Sequence, residues 1–269
     1  MTTLQALVLG LVQGLAEFLP ISSSAHLTLV PWVLGWPLPD LTFSTVLHVG
    51  TLVAAVAYFW GDIWRILGAW WKSVRTRTIE TPDARLAWLL ILATIPAVLA
   101  GVLLEDLVED LLGTPAVMGA FLLVTGVLLF VSDRLGRRQR DLSALTVVDA
   151  AAIGVAQACA IIPGLSRSGL TISTGLFRGL TREEAVRFSF LLALPVTAGA
   201  AGYQVLKALR AGLGGVEWTP MVLGAAVALV SGYLAVRLIM GYVRSHSLRP
   251  FAVYCWLAGT AVLVLACVR

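Results

Sequence analysis

Long apolar runs separated by short polar joints dominate this chain, recurring at 4–19, 22–35, 41–60, 84–104, 115–132, 145–162, 166–179, 187–208, 219–243 and 250–268. A segment that crosses a bilayer needs about 20 mostly apolar residues, and in lipid only helices and closed barrels satisfy their own backbone. The runs are continuous rather than alternating, so an all-α membrane protein is expected and a barrel is not. Composition agrees: 59% hydrophobic, 13% charged and a mean hydropathy of +0.91 exclude an ordinary soluble domain. The formal charge of +4 and pI near 9.3 come from arginines scattered over short joints, which does not point to nucleic acid. Cys159, Cys255 and Cys267 lie far apart in apolar runs with no metal or disulfide spacing, and read as small core residues. The N-terminus has no basic leader region and carries Gln13 and Glu17 inside its apolar stretch, so it reads as structure rather than a cleaved signal.

The paired runs 4–19/22–35 and 145–162/166–179 have halves too short to cross comfortably. Each pair is therefore expected to form a re-entrant helical hairpin, and the remaining runs six transmembrane helices. The joints set orientation: 61–85 carries Arg65, Lys72, Arg75, Arg77 and Arg85, and 133–141 carries Arg134, Arg137, Arg138 and Arg140. By the positive-inside rule these are cytoplasmic, as are Arg178, Arg182, Arg187, Arg244 and Arg249, whereas the acidic cluster Glu105–Asp110 reads as a solvated outer loop. Both termini then lie outside, with Lys207, Arg210 and Arg269 against the rule. Trp60, Trp64, Trp70 and Trp71 read as an interfacial aromatic belt.

The two halves resemble each other. Gly10-x-x-Gln13 recurs as Gly154-x-x-Gln157, and Phe43-Ser44 as Phe188-Ser189 at nearly the same offset. A hairpin plus three spans is an odd number of crossings, so the second copy is inverted relative to the first. A single membrane domain is expected, with repeats at about 1–135 and 145–269. The hairpins then enter from opposite faces and meet near the midplane.

Chemistry concentrates at the two breaks. Gln13 and Glu17 share one helix face, Pro20 ends that helix, and Ser22, Ser23 and Ser24 are N-cap candidates for a second helix carrying His26. An ionisable group in lipid is costly and is a functional candidate by default. In Pro163–Thr171 the hydroxyls of Ser166, Ser168 and Thr171 surround Arg167, whose planar fork matches phosphate oxygens, while Gly164 and Gly169 permit close backbone approach to a ligand. An interrupted helix also points free N–H groups and a positive dipole end at an anion.

The run Gly10–Leu27 and the run Pro163–Thr171 resemble the two signature motifs of the undecaprenyl-diphosphate phosphatase family of the bacitracin-resistance type, and the resemblance extends over the whole chain. It implies a multi-pass enzyme of the bacterial inner membrane, open toward the periplasmic side. Such an enzyme hydrolyses undecaprenyl diphosphate to undecaprenyl phosphate and phosphate, recycling the lipid carrier for cell-wall synthesis. It also implies a divalent cation, Mg or Ca, and leaves a homodimer open. By motif position the resemblance assigns Glu17, His26, Ser23 and Arg167 to catalysis, Gln13, Ser22, Ser24, Gly164, Ser166, Ser168, Gly169 and Thr171 to substrate binding, and Glu17 with Gln13 to the metal. Gln at position 13 is neither an anionic ligand nor a base, which leaves Glu17 as the acid/base of the pair. Either Ser23 or His26 is the nucleophile on this reading, and Ser22, Ser23 and Ser24 also suit plain capping. His48 reads as much like a packed residue as a site residue, and Asp149 and Arg237 as structural. A transporter or flippase of a phosphorylated polyprenyl lipid shares inverted repeats and broken helices, but needs no acid/base pair.

Overall fold

The computed structural model describes residues 1–104, 114–211 and 217–268, so the acidic stretch 105–110 falls outside the described residues. Within them the chain forms α1 (Thr3–Phe18), α2 (Ser23–Leu34), α3 (Leu41–Tyr58), α4 (Trp60–Thr76), α5 (Pro82–Leu103) and α6 (Pro115–Leu135), then α7 (Val147–Cys159), α8 (Arg167–Phe177), α9 (Arg182–Ala211), α10 (Trp218–Tyr242) and α11 (Arg249–Val268). Each of the ten apolar runs is a helix, and α3, α5, α6, α9, α10 and α11 are the 6 long and apolar enough to cross a membrane. Their outward faces keep side chains such as Val102, Leu238 and Leu257 exposed, as lipid-facing surfaces do. Capping residues fix the starts: Thr2 with Gln5 and Thr146 with Asp149 form capping boxes, and Asp40 accepts from the Phe43 amide at 2.7 Å.

One element departs from expectation. Residues 61–76 form most of α4 rather than a loop. Trp60, Trp64 and Trp71 on it are exposed and Ile66 and Ser73 face inward, the arrangement of an amphipathic helix lying at an interface. The cysteines also divide: Cys255 is buried and donates weakly to the Pro20 carbonyl at 3.7 Å, whereas Cys159 and Cys267 are exposed.

Packing positions both short helix pairs. Helix α1 lies against α10, and a Cβ on Gly10 would sit 2.4 Å from the Gly224 carbonyl oxygen. Helix α7 lies against α5, where a Cβ on Gly154 would sit 2.6 Å from the Ala93 carbonyl oxygen. Likewise α3 packs on α10 and α9 on α5, while α3 meets α9 and α6 meets α11. By the level of Phe18, α1 has reached only Gly232, midway along α10. The chain between α7 and α8 turns back on itself: Asp149 in the first turn of α7 bonds Arg178, which caps α8, at 2.5 Å.

Ion pairs gather at one end of the bundle. Arg182 holds Asp133 at 2.5 Å, Arg140 holds Asp149 at 2.7 Å, Arg187 holds Asp62 at 2.6 Å and Arg244 holds Glu183 at 2.9 Å. The opposite end carries the Met1 amino group against Glu217 at 3.2 Å.

Backbone contact this close leaves no room for a side chain. Gly154→Leu is expected to push α7 off α5 and to lower stability by about 1–3 kcal/mol or more. Gly101→Ala, where a Cβ meets nothing within 4 Å, should be nearly silent. Thermal unfolding in detergent compares the two.

Candidate active site

Helix α1 cannot continue past Pro20, so it delivers Glu17 in its last turn to the middle of the bundle. The chain then turns through Ser22, whose φ of 71° lies in the left-handed region that a non-glycine residue rarely adopts. That turn aims Ser23 back at the acid: its hydroxyl donates to Glu17 Oε2 at 2.7 Å. The Gln13 amide donates to the same oxygen at 3.0 Å, one helical turn earlier. Glu17 Oε1 is paired with Arg167, which comes from the other short helix pair. Ser168 adds a second link between the two breaks, donating to the Leu19 carbonyl at 3.4 Å.

Arg167 is fixed from both sides. It opens α8 directly after the N-cap Ser166, whose hydroxyl accepts from the Gly169 amide at 3.1 Å. Its second nitrogen donates to Thr197 Oγ1 on α9 at 2.7 Å. Helix α6 holds this break in place, since Thr125 Oγ1 accepts from the Ser166 amide at 3.1 Å.

These groups line one cavity of about 350 Å³ in which Glu17, Ser22, Ser23, Ser24, Ser166, Arg167 and Ser168 all take part. Leu41, at the start of α3, and Gln204, in the last third of α9, line it too, so it lies toward the end away from the ion-pair network. Glu17 is buried, so the cavity offers a desolvated carboxylate beside a guanidinium with the free N–H groups of α8 close by.

His26 is not where its motif position suggested. Its Nδ1 bonds the Ser22 carbonyl at 2.8 Å and its Nε2 bonds the phenolic Oη of Tyr254 on α11 at 2.6 Å, and it does not line the cavity. A carbonyl can only accept, so Nδ1 carries the proton and in the neutral ring Nε2 accepts from the tyrosine. Both nitrogens are occupied, and His26 clamps the strained Ser22 turn to α11. The imidazole facing the site is His48 of α3: its Nε2 lies 3.6 Å from Glu17 Oε2 and its Nδ1 bonds the Ser44 carbonyl at 2.8 Å.

Of the other expected binding residues, Gln13, Gly164, Gly169 and Thr171 sit one layer out. A Cβ on Gly164 would meet the Met118 carbonyl at 2.7 Å, and one on Gly169 would meet Thr125 at 2.9 Å, so both glycines serve close packing on α6 rather than approach to a ligand. Gly164 also needs its freedom for the turn, at φ 91°. Thr171 bonds the Arg167 carbonyl at 2.9 Å and Ser189 at 2.6 Å, behind the cavity wall. Gln13 acts through Glu17, and its own Oε1 is buried without a hydrogen-bond partner. Ser22 holds the N-cap position, yet its hydroxyl pairs with Ser24 at 3.2 Å instead of capping the helix. Thr197, Thr125 and Tyr254 carry no sequence signal: each is flanked by apolar or small residues within a membrane-spanning helix and belongs to no motif.

His26→Ala should release the Ser22 turn and misplace Ser23, costing about a hundredfold in kcat with the fold retained. Tyr254→Phe, which keeps the stacked ring and loses only one bond, should cost less than about tenfold. Steady-state kinetics of the two variants checks this.

A carboxylate, a hydroxyl and a guanidinium brought from two interrupted helices into one cavity define an integral membrane protein built to handle a buried anion. The chain belongs to the bacitracin resistance protein BacA family, whose model matches residues 6–261. It is 45% identical over 269 residues to an undecaprenyl-diphosphatase of Desulforudis audaxviator, covering 100% of both chains. It is 44% identical over 264 residues to one of Pelobacter propionicus, covering 98% of this chain and 97% of the relative. With one of Thermomicrobium roseum the identity is 41% over 273 residues, covering 98% of each.

Proposed function

We propose that this chain is a membrane phosphatase that hydrolyses undecaprenyl diphosphate to undecaprenyl phosphate and inorganic phosphate. Recycling of that carrier serves peptidoglycan synthesis and fits the bacitracin-resistance family. The observation that carries the reading is the Ser23 hydroxyl donating to Glu17 Oε2 at 2.7 Å, with Arg167 on the other carboxylate oxygen. A hydroxyl on a carboxylate beside a fixed cation is a nucleophile–base pair next to a phosphoryl clamp.

In the proposed reaction the terminal phosphoryl group sits against Arg167 and the N-terminal amides of α8. Glu17 takes the Ser23 proton as Oγ attacks phosphorus, and passes it to the departing oxygen as the bridging O–P bond breaks and undecaprenyl phosphate leaves, which frees the carboxylate for the second step. Water, deprotonated by Glu17, then attacks the phosphoserine and releases phosphate, returning the proton to Ser23. Positioning and charge stabilisation supply most of the acceleration in such transfers. His48 presents Nε2 to Glu17 Oε2 at 3.6 Å while its Nδ1 donates to the Ser44 carbonyl, so this imidazole would steady the charge on Glu17 in its doubly protonated form.

A divalent cation fits the donor set in one way. Among the described residues no group of three or more His, Cys, Asp and Glu forms a cage. Mg²⁺ commonly uses one or two carboxylates plus substrate phosphates, and Glu17 with the unpartnered Oε1 of Gln13 would hold it so. The ion would offset negative charge on the diphosphate.

The architecture proposed is an inverted repeat of about 1–135 and 145–269, with α1–α2 and α7–α8 as re-entrant hairpins. Gly10 on Gly224 and Gly154 on Ala93 support it, since equivalent glycines meet equivalent helices. The arginine-rich end is assigned to the cytoplasm of a bacterial inner membrane, which turns the cavity toward the periplasmic side.

Phosphate release from undecaprenyl diphosphate by purified protein, with Mg²⁺ or Ca²⁺ and with EDTA, tests the reading. Release that EDTA suppresses is expected. No release with the ion present would favour a transporter of phosphorylated lipid.

A further inference from the structure

We propose that the polyprenyl chain of the substrate occupies a specific apolar cleft between α4, α5 and α9, separate from the cavity that takes its diphosphate. This rests on the phosphatase reading and adds where the tail lies. The cleft has a volume of about 510 Å³ and walls that include Leu67 and Trp70 of α4, Leu90 and Ile95 of α5, and Leu191 and Leu194 of α9. Ile95 and Leu99 on its rim are 48% and 55% exposed, so it opens sideways to the bilayer, as entry of a lipid tail requires.

One face of α9 joins the cleft to the site. Leu191, Leu194, Thr197, Ala201 and Gln204 follow at spacings of three and four, so they form a single stripe along the helix. The first two line the cleft, and the last three line the diphosphate cavity, where Thr197 bonds Arg167 at 2.7 Å. From Thr197 to Leu191 the helix rises about 9 Å, at roughly 1.5 Å per residue. A head held on Arg167 therefore has an apolar path for its tail down the same helix face, away from the cavity's open end.

The cleft is also a built one. Helix α4 is pinned to α9 by Arg187–Asp62 at 2.6 Å and to α5 by Arg65–Asp83 at 3.3 Å. Trp88 Nε1 donates to Ser73 at 3.0 Å, and its ring lies 6.2 Å from that of Trp70. These contacts close the far end of the cleft with an otherwise exposed amphipathic helix. An ordinary bilayer lipid has the same tail chemistry, but it has no diphosphate to anchor it at Arg167.

The test uses Ile95→Trp and Leu67→Trp, which fill the cleft from opposite walls and touch none of the catalytic groups. Each is assayed on undecaprenyl diphosphate and on the short geranyl diphosphate. The expected result is a fall of about tenfold or more in kcat/KM for the long substrate in both variants, with the short one unchanged. Equal loss on both substrates, or none on either, overturns the cleft. In addition, a polyprenyl diphosphate carrying a diazirine in its tail should crosslink the unaltered protein at α4 and α5. Crosslinks only elsewhere overturn the proposal whatever the variants do. If the unaltered protein hydrolyses neither substrate, the phosphatase reading itself fails, a result distinct from loss of tail dependence alone.

Discussion

Arg167→Ala is expected to lower kcat/KM for undecaprenyl diphosphate by about 10³ or more, the scale seen when one fixed donor to a transferring phosphoryl group is removed. The guanidinium is held on one side by Glu17 and on the other by Thr197 at 2.7 Å, so little reorganisation remains to be done when substrate arrives. Arg167→Lys keeps the charge and loses the fork. A lysine ammonium is a single point that does not reproduce the bidentate geometry, so only partial rescue is expected. Kinetics of both variants, with detergent thermal melts to confirm folding, checks the expectation. A loss confined to KM would mean that Arg167 contributes uniform binding only.

Glu17→Ala is expected to be at least as damaging. The carboxylate is the base for Ser23, the partner of Arg167 and the anchor of the Gln13 amide. Its removal leaves Arg167 partly buried without a counter-charge, and breaking a buried pair in this way costs about 3–5 kcal/mol of stability. Glu17→Gln separates the two effects: shape and some hydrogen bonding persist, while the basicity goes. Turnover should fall by about 10³ or more in Glu17→Gln although its melting temperature stays nearer that of the unaltered protein than Glu17→Ala does. Activity that survives in Glu17→Gln would remove Glu17 as the base.

Much of this architecture was legible from the chain because lipid is a demanding solvent: an apolar run of a given length has few structures open to it. The exact starts of α3, α5 and α7 are set by Asp40, Thr81 and Thr146, each of which caps its helix, a detail the apolar runs alone did not carry. Helix α4 was not legible as a helix, because its arginines and tryptophans read as a basic joint with an aromatic belt. At the site, the acid and the guanidinium were legible because charge inside an apolar run stands out. The histidines were not. The direction of His26 depends on the left-handed turn at Ser22, and a serine in a Ser-Ser-Ser run does not announce that conformation. Thr197, 30 residues from Arg167, becomes its partner only through the packing of α8 against α9.

The central claim is that both interrupted helices build one catalytic unit around a single diphosphate. A double-mutant cycle between Glu17→Ala and Arg167→Ala, read as kcat/KM for undecaprenyl diphosphate, addresses it most directly. The double variant is predicted to be about as slow as the worse single variant, because groups acting as a unit are strongly non-additive. Losses that simply multiply would place the two residues in separate roles and contradict the shared site.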